Sequence, residues 1–157
     1  MYFKNDTPDL ICLRTYRDST VIHHFSKENT MPFARVVIRR GETREYRQAI
    51  LDNLYEAMVE TFNVPEDDKF MVIDEYDPEN FVFSKTYMNI ARSDKFVIIQ
   101  LTVNNTRTIE QKKALYARIV ERLNLQPGIR PEDIFISLVE VNKENWSFGH
   151  GLAQYAS

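Results

Sequence analysis

The chain repeats itself at an offset of about 65 residues, and this repeat limits the possible folds more than any other feature. Strand-like Phe33–Arg39 corresponds to Ile98–Asn104, part of an apolar, β-branched run that begins at Val97. Thr43-Arg44-Glu45-Tyr46 corresponds to Thr108-Ile109-Glu110-Gln111. Both segments open on a threonine suited to cap a helix, and an acid follows in the first turn. Apolar residues then recur at helical spacing, as Ile50, Leu54, Ala57 and Phe62 in one half and as Leu115, Ile119 and Leu123 in the other. Past each helix lies a proline–acid turn, Val64-Pro65-Glu66-Asp67 and Arg130-Pro131-Glu132-Asp133. Each turn leads into a strand, Phe70–Asp74 and Ile134–Val141.

Each half therefore reads strand–helix–strand, with its two strands parallel and joined by a right-handed crossover. Two such units predict an α/β chain of the two-layer α+β kind. The duplicated β-α-β forms a four-stranded mixed sheet with two helices on one face. The other face must also be covered, since Phe33, Val37, Phe96, Ile98 and Ile136 cannot all stay wet, and self-association is the natural cover. Glu79–Ser93 is expected to form a hairpin or short insertion. The tail after Lys143 is expected to turn at Gly149-His150-Gly151 and then add a short edge strand.

The repeat also separates structural from functional residues. Aligned on their prolines, the two turns pair Asp67 with Asp133 and set Asp68 against Ile134, which marks Asp68 as the functional candidate. Pro32 stands against Val97, so the strand itself does not require a proline there.

Residues 1–31 form an N-terminal extension to a domain expected over 32–157. The first thirty residues show no clean period and no glycine, and their basic Lys4, Arg14, Arg17 and Lys27 balance Asp6, Asp9, Asp18 and Glu28. Neither a secretory nor a matrix-targeting signal is present. Lys27-Glu28 can be encoded as a bacterial ribosome-binding sequence, with Asn29 and Thr30 as spacer before Met31. The segment is expected to be upstream sequence translated through a mis-assigned start, or else a genuine flexible arm, such as a strand that docks on a neighbour; where present, it is expected to pack poorly or to obstruct the mouth near Pro32. The point matters chemically. Behind Met31 the Pro32 nitrogen is an amide, whereas at a chain terminus it is a basic, nucleophilic amine.

The net charge of −3 gives no basic footprint for nucleic acid. No apolar run reaches the roughly 18 residues of a membrane span. The single cysteine, Cys12, rules out an intramolecular disulfide and points to a cytoplasmic location. No metal-ligand cluster or phosphate-binding glycine loop is visible, and no cofactor is expected.

Met31-Pro32 ahead of a strand, Val64-Pro65-Glu66-Asp67-Asp68, Arg107-Thr108-Ile109-Glu110 and Trp146-Ser147-Phe148-Gly149 occur in this order. Together with the duplication they resemble the tautomerase superfamily, closest to its malonate semialdehyde decarboxylase-like branch. The resemblance covers nearly all of 32–157. It implies a homotrimer whose amino-terminal proline does the chemistry on a small carboxylate substrate. Carried over, Pro32 is the catalytic proline, and Asp68 is the acid that orients or activates substrate or water. Arg107 holds the substrate carboxylate, while Trp146 and Phe148 wall the pocket. Decarboxylase members carry a second arginine where this chain has Asn105.

A proline amine lowered by burial and by a nearby cation is a base poised to move a proton between carbon and oxygen of a keto acid. The resemblance and this chemistry together imply a cofactor-independent tautomerase acting on a keto or enol carboxylate. If the proline stays protonated it serves instead as an acid for decarboxylation or hydration. A third reading is a non-catalytic ligand-binding or assembly module. Plain structural roles also remain open. Pro32 could punctuate a strand edge, Asp68 could serve the turn, Arg107 could be a surface cation, and Trp146 and Phe148 could be packing aromatics.

Overall fold

The computed structural model describes residues 32–156, and the expected extension over 1–31 lies outside the described residues. The main elements run β1 (Phe33–Arg39), α1 (Arg44–Phe62), β2 (Phe70–Tyr76), β3 (Val97–Asn104), α2 (Ile109–Leu125) and β4 (Ile134–Val141). They build one sheet of order β2-β1-β3-β4. The β1/β2 and β3/β4 pairs are parallel, and the central β1/β3 pair is antiparallel. Each half is thus a β-α-β unit, and the halves meet along the middle of the sheet.

The threonines start the helices. Thr43 Oγ1 accepts from the Tyr46 N–H at 3.2 Å. Thr108 Oγ1 accepts from the Gln111 N–H at 3.2 Å, and the Gln111 side chain accepts in return from the Thr108 N–H at 2.9 Å. The second cap is therefore reciprocal. Helix α1 ends at Asn63, which takes the left-handed conformation (φ 53°) common at helix ends.

Strand alternation sends Ala34, Val36 and Ile38 of β1, with Ile99, Leu101 and Val103 of β3, under the helices, each at most 2% exposed. Ile50 and Leu54 of α1, with Leu115 and Ile119 of α2, complete this core. Full burial of each such side chain contributes about 1.5–3 kcal/mol. Across the helix pair, Glu60 of α1 accepts from Arg118 (2.5 and 3.1 Å) and Arg122 (3.1 and 2.5 Å) of α2. These hydrogen bonds hold the Glu60 carboxyl well below the usual carboxylate range.

The opposite face is open. Phe33, Phe70, Val72, Phe135 and Val139 stand there between 36% and 49% exposed. Ile136, expected on this face, packs with the helix-side core instead, because the register puts Phe135 outward. Phe96 is buried, covered by Phe83 at 4.4 Å and Phe81 at 6.1 Å between ring centroids.

Glu79–Ser93 contains no hairpin. It holds two short 3-10 turns, Pro78–Asn80 and Tyr87–Asn89. Arg92 Nη1 fixes the segment by donating to the carbonyls of Ser84, Tyr87 and Ile90. The tail also forms turns rather than an edge strand. Gly149, His150 and Gly151 all have positive φ, which cannot be propagated as extended chain.

The register corrects one pairing. Phe33 pairs with Phe70, and Ile98 pairs with Phe135. Phe70 and Phe135 are therefore equivalent, and two residues before them stand Asp68 and Asp133. The turns agree, since the Asp68 N–H donates to the Pro65 carbonyl at 3.0 Å and the Asp133 N–H to the Arg130 carbonyl at 2.9 Å. Asp68, not Asp67, is the counterpart of Asp133. The two prolines sit one place apart in otherwise equivalent turns, and alignment on them shifts the acids by one.

Candidate active site

Pro32 is buried at the head of β1. It lines a cavity of about 210 Å³ with Phe33, Phe70, Trp146, Ser147 and Phe148. The aromatic wall comes from the far end of the second half. After β4 the chain makes a 3-10 turn over Lys143–Asn145 and delivers Trp146. Its indole Nε1 donates to Oδ1 of Asn104 at 2.7 Å. Asn104 closes β3 and is fully buried, so it fixes the indole from behind. Phe148 stacks on Trp146 with centroids 5.9 Å apart, meets Phe70 at 6.5 Å and takes the edge of Tyr155 at 4.9 Å.

Asn105 supports this wall. Its N–H donates to the Val141 carbonyl at 3.0 Å, and its side-chain amide donates to Asn142 Oδ1 at 2.8 Å. These bonds tie the end of β3 to the segment that carries Trp146.

Asp68 lies in the turn between α1 and β2 and is 6% exposed. Tyr55 of α1 pins that turn by donating to the carbonyls of Pro65 (3.2 Å) and Glu66 (2.6 Å). Neither carboxyl oxygen of Asp68 has a hydrogen-bond partner among the described residues. Burial without compensation disfavours the charged form and pushes the carboxyl up to about 7. Arg107, just before α2, donates from Nη2 to the Phe62 carbonyl at 2.6 Å and lies 4.8 Å over the Phe62 ring. It therefore braces the end of α1, from which the Asp68 turn departs.

Of the residues picked out in the sequence, Pro32, Trp146 and Phe148 come together around one cavity. Asp68, Arg107 and Asn105 stand outside its lining. Phe33, Phe70, Asn104 and Tyr155 were missed. Asn104 left a signal, as a polar residue closing an otherwise apolar strand. Phe33 and Phe70 are placed by strand register, and nothing local marks Tyr155.

The duplication produces a second cavity, of about 230 Å³, at the other end of the sheet. Ile98, Phe135 and Phe83 line it in the places of Phe33, Phe70 and Phe148. Val97 stands in the place of Pro32, and there the chain runs in continuously from Phe96. Among the described residues, no group of three or more His, Cys, Asp or Glu gathers to hold a metal ion. No described helix is long and apolar enough to cross a membrane.

Two family models, each described as tautomerase enzyme, match residues 32–89 and 68–149. A probable tautomerase of Bacillus subtilis strain 168, YusQ, is 40% identical over 79% of this chain and 98% of its own length. A malonate semialdehyde decarboxylase solved with 3-bromopropiolate superimposes with a TM-score of 0.73 at 34% identity, over 78% of this chain and 93% of that one. A second malonate semialdehyde decarboxylase, solved in a study of decarboxylase and hydratase activities, gives 0.73 at 29% identity, over 78% and 95%. The chain belongs to the tautomerase superfamily and resembles its malonate semialdehyde decarboxylase-like branch.

Proposed function

We propose that this protein is a cofactor-independent tautomerase acting on a small keto or enol carboxylate, with Pro32 as the terminal residue and general base. The observation that carries the reading is the position of Pro32, buried at the head of β1 in a cavity that it shares with Ser147 and four aromatic side chains. An α-amino group titrates ordinarily at about 7.7–8.0. Burial against Phe70, Trp146 and Phe148 lowers that value toward neutrality, where a base works best. The base takes a proton from carbon and returns it to oxygen, or the reverse. Arg107 binds the substrate carboxylate in this reading, which requires its guanidinium to turn from the Phe62 carbonyl. Asp68 assists at the reacting oxygen, and Asn105 holds the wall where a second arginine would otherwise bind.

One observation favours a second chemistry. A carboxyl pushed up to about 7 is half protonated at neutral pH and serves as donor or as acceptor. With a protonated proline, such a pair suits decarboxylation of a semialdehyde acid or hydration, the activities studied in the similar decarboxylase. The outward sheet face, with its exposed Phe33, Phe70, Val72 and Phe135, suits burial against further copies in a homotrimer. A cytoplasmic location belongs to the same reading.

The test compares protein beginning at Pro32 with the full-length chain, using phenylenolpyruvate and a semialdehyde acid. Turnover by the Pro32 form alone, lost in Pro32→Ala, is the expected result. Equal turnover by the full-length chain or by Pro32→Ala would defeat the proline mechanism. Titration of the Pro32 nitrogen by NMR then separates the two chemistries, since a midpoint well above neutrality favours the lyase or hydratase.

A further inference from the structure

The second cavity keeps the size of the first and loses its amine. It measures about 230 Å³ against about 210 Å³. Val97, in the place of Pro32, offers only a backbone amide, which is neither a base nor a nucleophile. The wall is again aromatic. Phe96 meets Phe83 at 4.4 Å and Phe135 at 6.3 Å between ring centroids. The segment after β2 supplies Phe83, as the segment after β4 supplies Phe148 for the Pro32 cavity.

What the second cavity has instead is a cation. Arg92 lines it and lies 5.6 Å over the Phe96 ring. Its Nη1 donates to the carbonyls of Ser84 (3.3 Å), Tyr87 (3.0 Å) and Ile90 (3.3 Å). The side chain is thus fixed by backbone carbonyls rather than by an acid. Its Nε and Nη2 donate to none of the described residues, and no carboxylate among them pairs with it. The two acids held near this segment are engaged elsewhere. Asp94 pairs with Lys85 at 2.9 Å and with Arg39 at 3.1 Å, and Asp133 takes Ser93 and Arg130. Arg39 stands in the place of Asn104, 5.8 Å over the Phe83 ring, and its buried Nε has no partner among the described residues. Ser84 and Tyr87, also of the lining, add hydroxyl groups. Unspent cationic donors beside an apolar aromatic wall suit a flat organic anion.

We propose that the duplicated half holds a second, non-catalytic ligand site, which takes a small carboxylate with a flat apolar body, such as an arylalkanoate. The Arg92 Nε and Nη2 donate to the carboxylate oxygens, the paired arrangement in which arginine binds carboxylates most strongly. The body lies against Phe96, Ile98 and Phe135. The ligand is bound and not transformed, because the nitrogen at the head of β3 is an amide. The inference goes beyond the reading of the Pro32 cavity and stands whether or not Pro32 is catalytic.

The test uses the full-length chain with labelled isoleucine methyl groups. The probe is 3-phenylpropanoate, and 3-phenylpropanamide is its uncharged match. Ile98 lines the second cavity and no isoleucine lines the Pro32 cavity, which Trp146 reports by its emission. The Ile98 methyl signal should shift saturably with the acid, at about tenfold lower concentration than with the amide. Arg92→Gln should remove that preference, and Phe135→Ala should weaken both probes alike. An Ile98 methyl that moves with neither probe, equal affinity for the two in the wild type, or a preference kept in Arg92→Gln overturns the proposal. Arg92 also caps three carbonyls, so the methyl spectrum of Arg92→Gln without probe is compared first. Where that spectrum shows the segment displaced, the wild-type preference and Phe135→Ala decide. A change in Trp146 emission with the Ile98 methyl unmoved places the probe in the Pro32 cavity alone and overturns the proposal too. No step of the test requires turnover, so failure of the proposed function leaves its outcome readable.

Discussion

Asp68 and Asp133 occupy the same position of a duplicated turn and are satisfied in opposite ways. Both are buried, at 6% and 0% exposed. Asp133 accepts from both donors of Ser93 and lies 3.2 Å from Arg130 Nε. Asp68 has no donor at all among the described residues. A fold that built the same turn twice had a stabilising solution available in one half and lacks it in the other. Buried polar groups are rarely left unpaired except where function uses them.

The first prediction concerns pH. The Asp68 carboxyl is pushed up to about 7 in the folded chain, against about 3.9 unfolded. Between these values the folded state binds more protons than the unfolded one, so stability falls as pH rises from about 4 to about 7. The full span is at most about 4 kcal/mol. Asp68→Asn removes the ionisation, and the stability difference between it and the wild type should grow across that window in favour of the variant. Urea unfolding at pH 4, 5.5 and 7.5 measures this, and a flat difference would contradict the assignment.

Asp133→Asn should behave oppositely. It strips a charged acceptor from the Ser93 N–H and hydroxyl and leaves Arg130 with Glu132 and the Ala91 carbonyl. Leaving these half-buried Ser93 donors poorly paired costs about 1 kcal/mol or somewhat more. Turnover per folded molecule should be unchanged, whereas Asp68→Asn should lose most of its turnover while staying folded at neutral pH. Parallel unfolding and rate measurements on the two variants separate a structural aspartate from a working one.

Much of this was legible in the sequence. Period and caps place both helices, and the repeat places the four strands and their parallel pairs, because those features are local or follow from chain connectivity. The acids of the two turns were misaligned because Pro65 and Pro131 look equivalent and are not; only strand register shows it. The short insertion over 79–93 forms turns rather than a hairpin, and the tail forms no edge strand, because their shape comes from side chains capping backbone, as Arg92 caps three carbonyls, and from a run of positive φ values. Pro32, Trp146 and Phe148 are picked out by residue type and line one cavity, but Asn104 and Tyr155 gain meaning only from what they touch.

The two helix starts should differ in sensitivity. Thr43 gives a single cap bond, whereas Thr108 and Gln111 exchange two. Thr108→Ala should cost about 1 kcal/mol or somewhat more, and Thr43→Ala no more than that. The two changes are far enough apart along the chain to be read separately by thermal unfolding. Equal effects would mean the Gln111 bond adds nothing.

The open sheet face predicts an oligomer. Val72 and Val139 lie on it, 42% and 37% exposed, and neither lines the Pro32 cavity. In a homotrimer these side chains would be covered, and a lysine at either position would bury a charge at a cost of several kcal/mol per copy. Val72→Lys with Val139→Lys should shift the sedimentation profile from trimer toward monomer at micromolar concentration. In a monomer the same lysines would be solvated and the profile unchanged.

Trp146 offers the most direct probe of the wall, because it is the only tryptophan in the chain. Its indole is held by Asn104 Oδ1 at 2.7 Å and lies against Phe148, so its emission reports the wall and nothing else. Asn104→Leu removes that acceptor from a fully buried position and leaves the indole N–H to find water. The indole should then turn outward. Emission should move to longer wavelength, with a stability loss of about 1–3 kcal/mol. A small keto carboxylate bound against the wall should change the emission of the wild type, and Asn104→Leu should reduce that response. If Asn104→Leu leaves both the emission and the ligand response as they were, the bond to Asn104 does not position the wall, and the support assigned to the end of β3 falls with it.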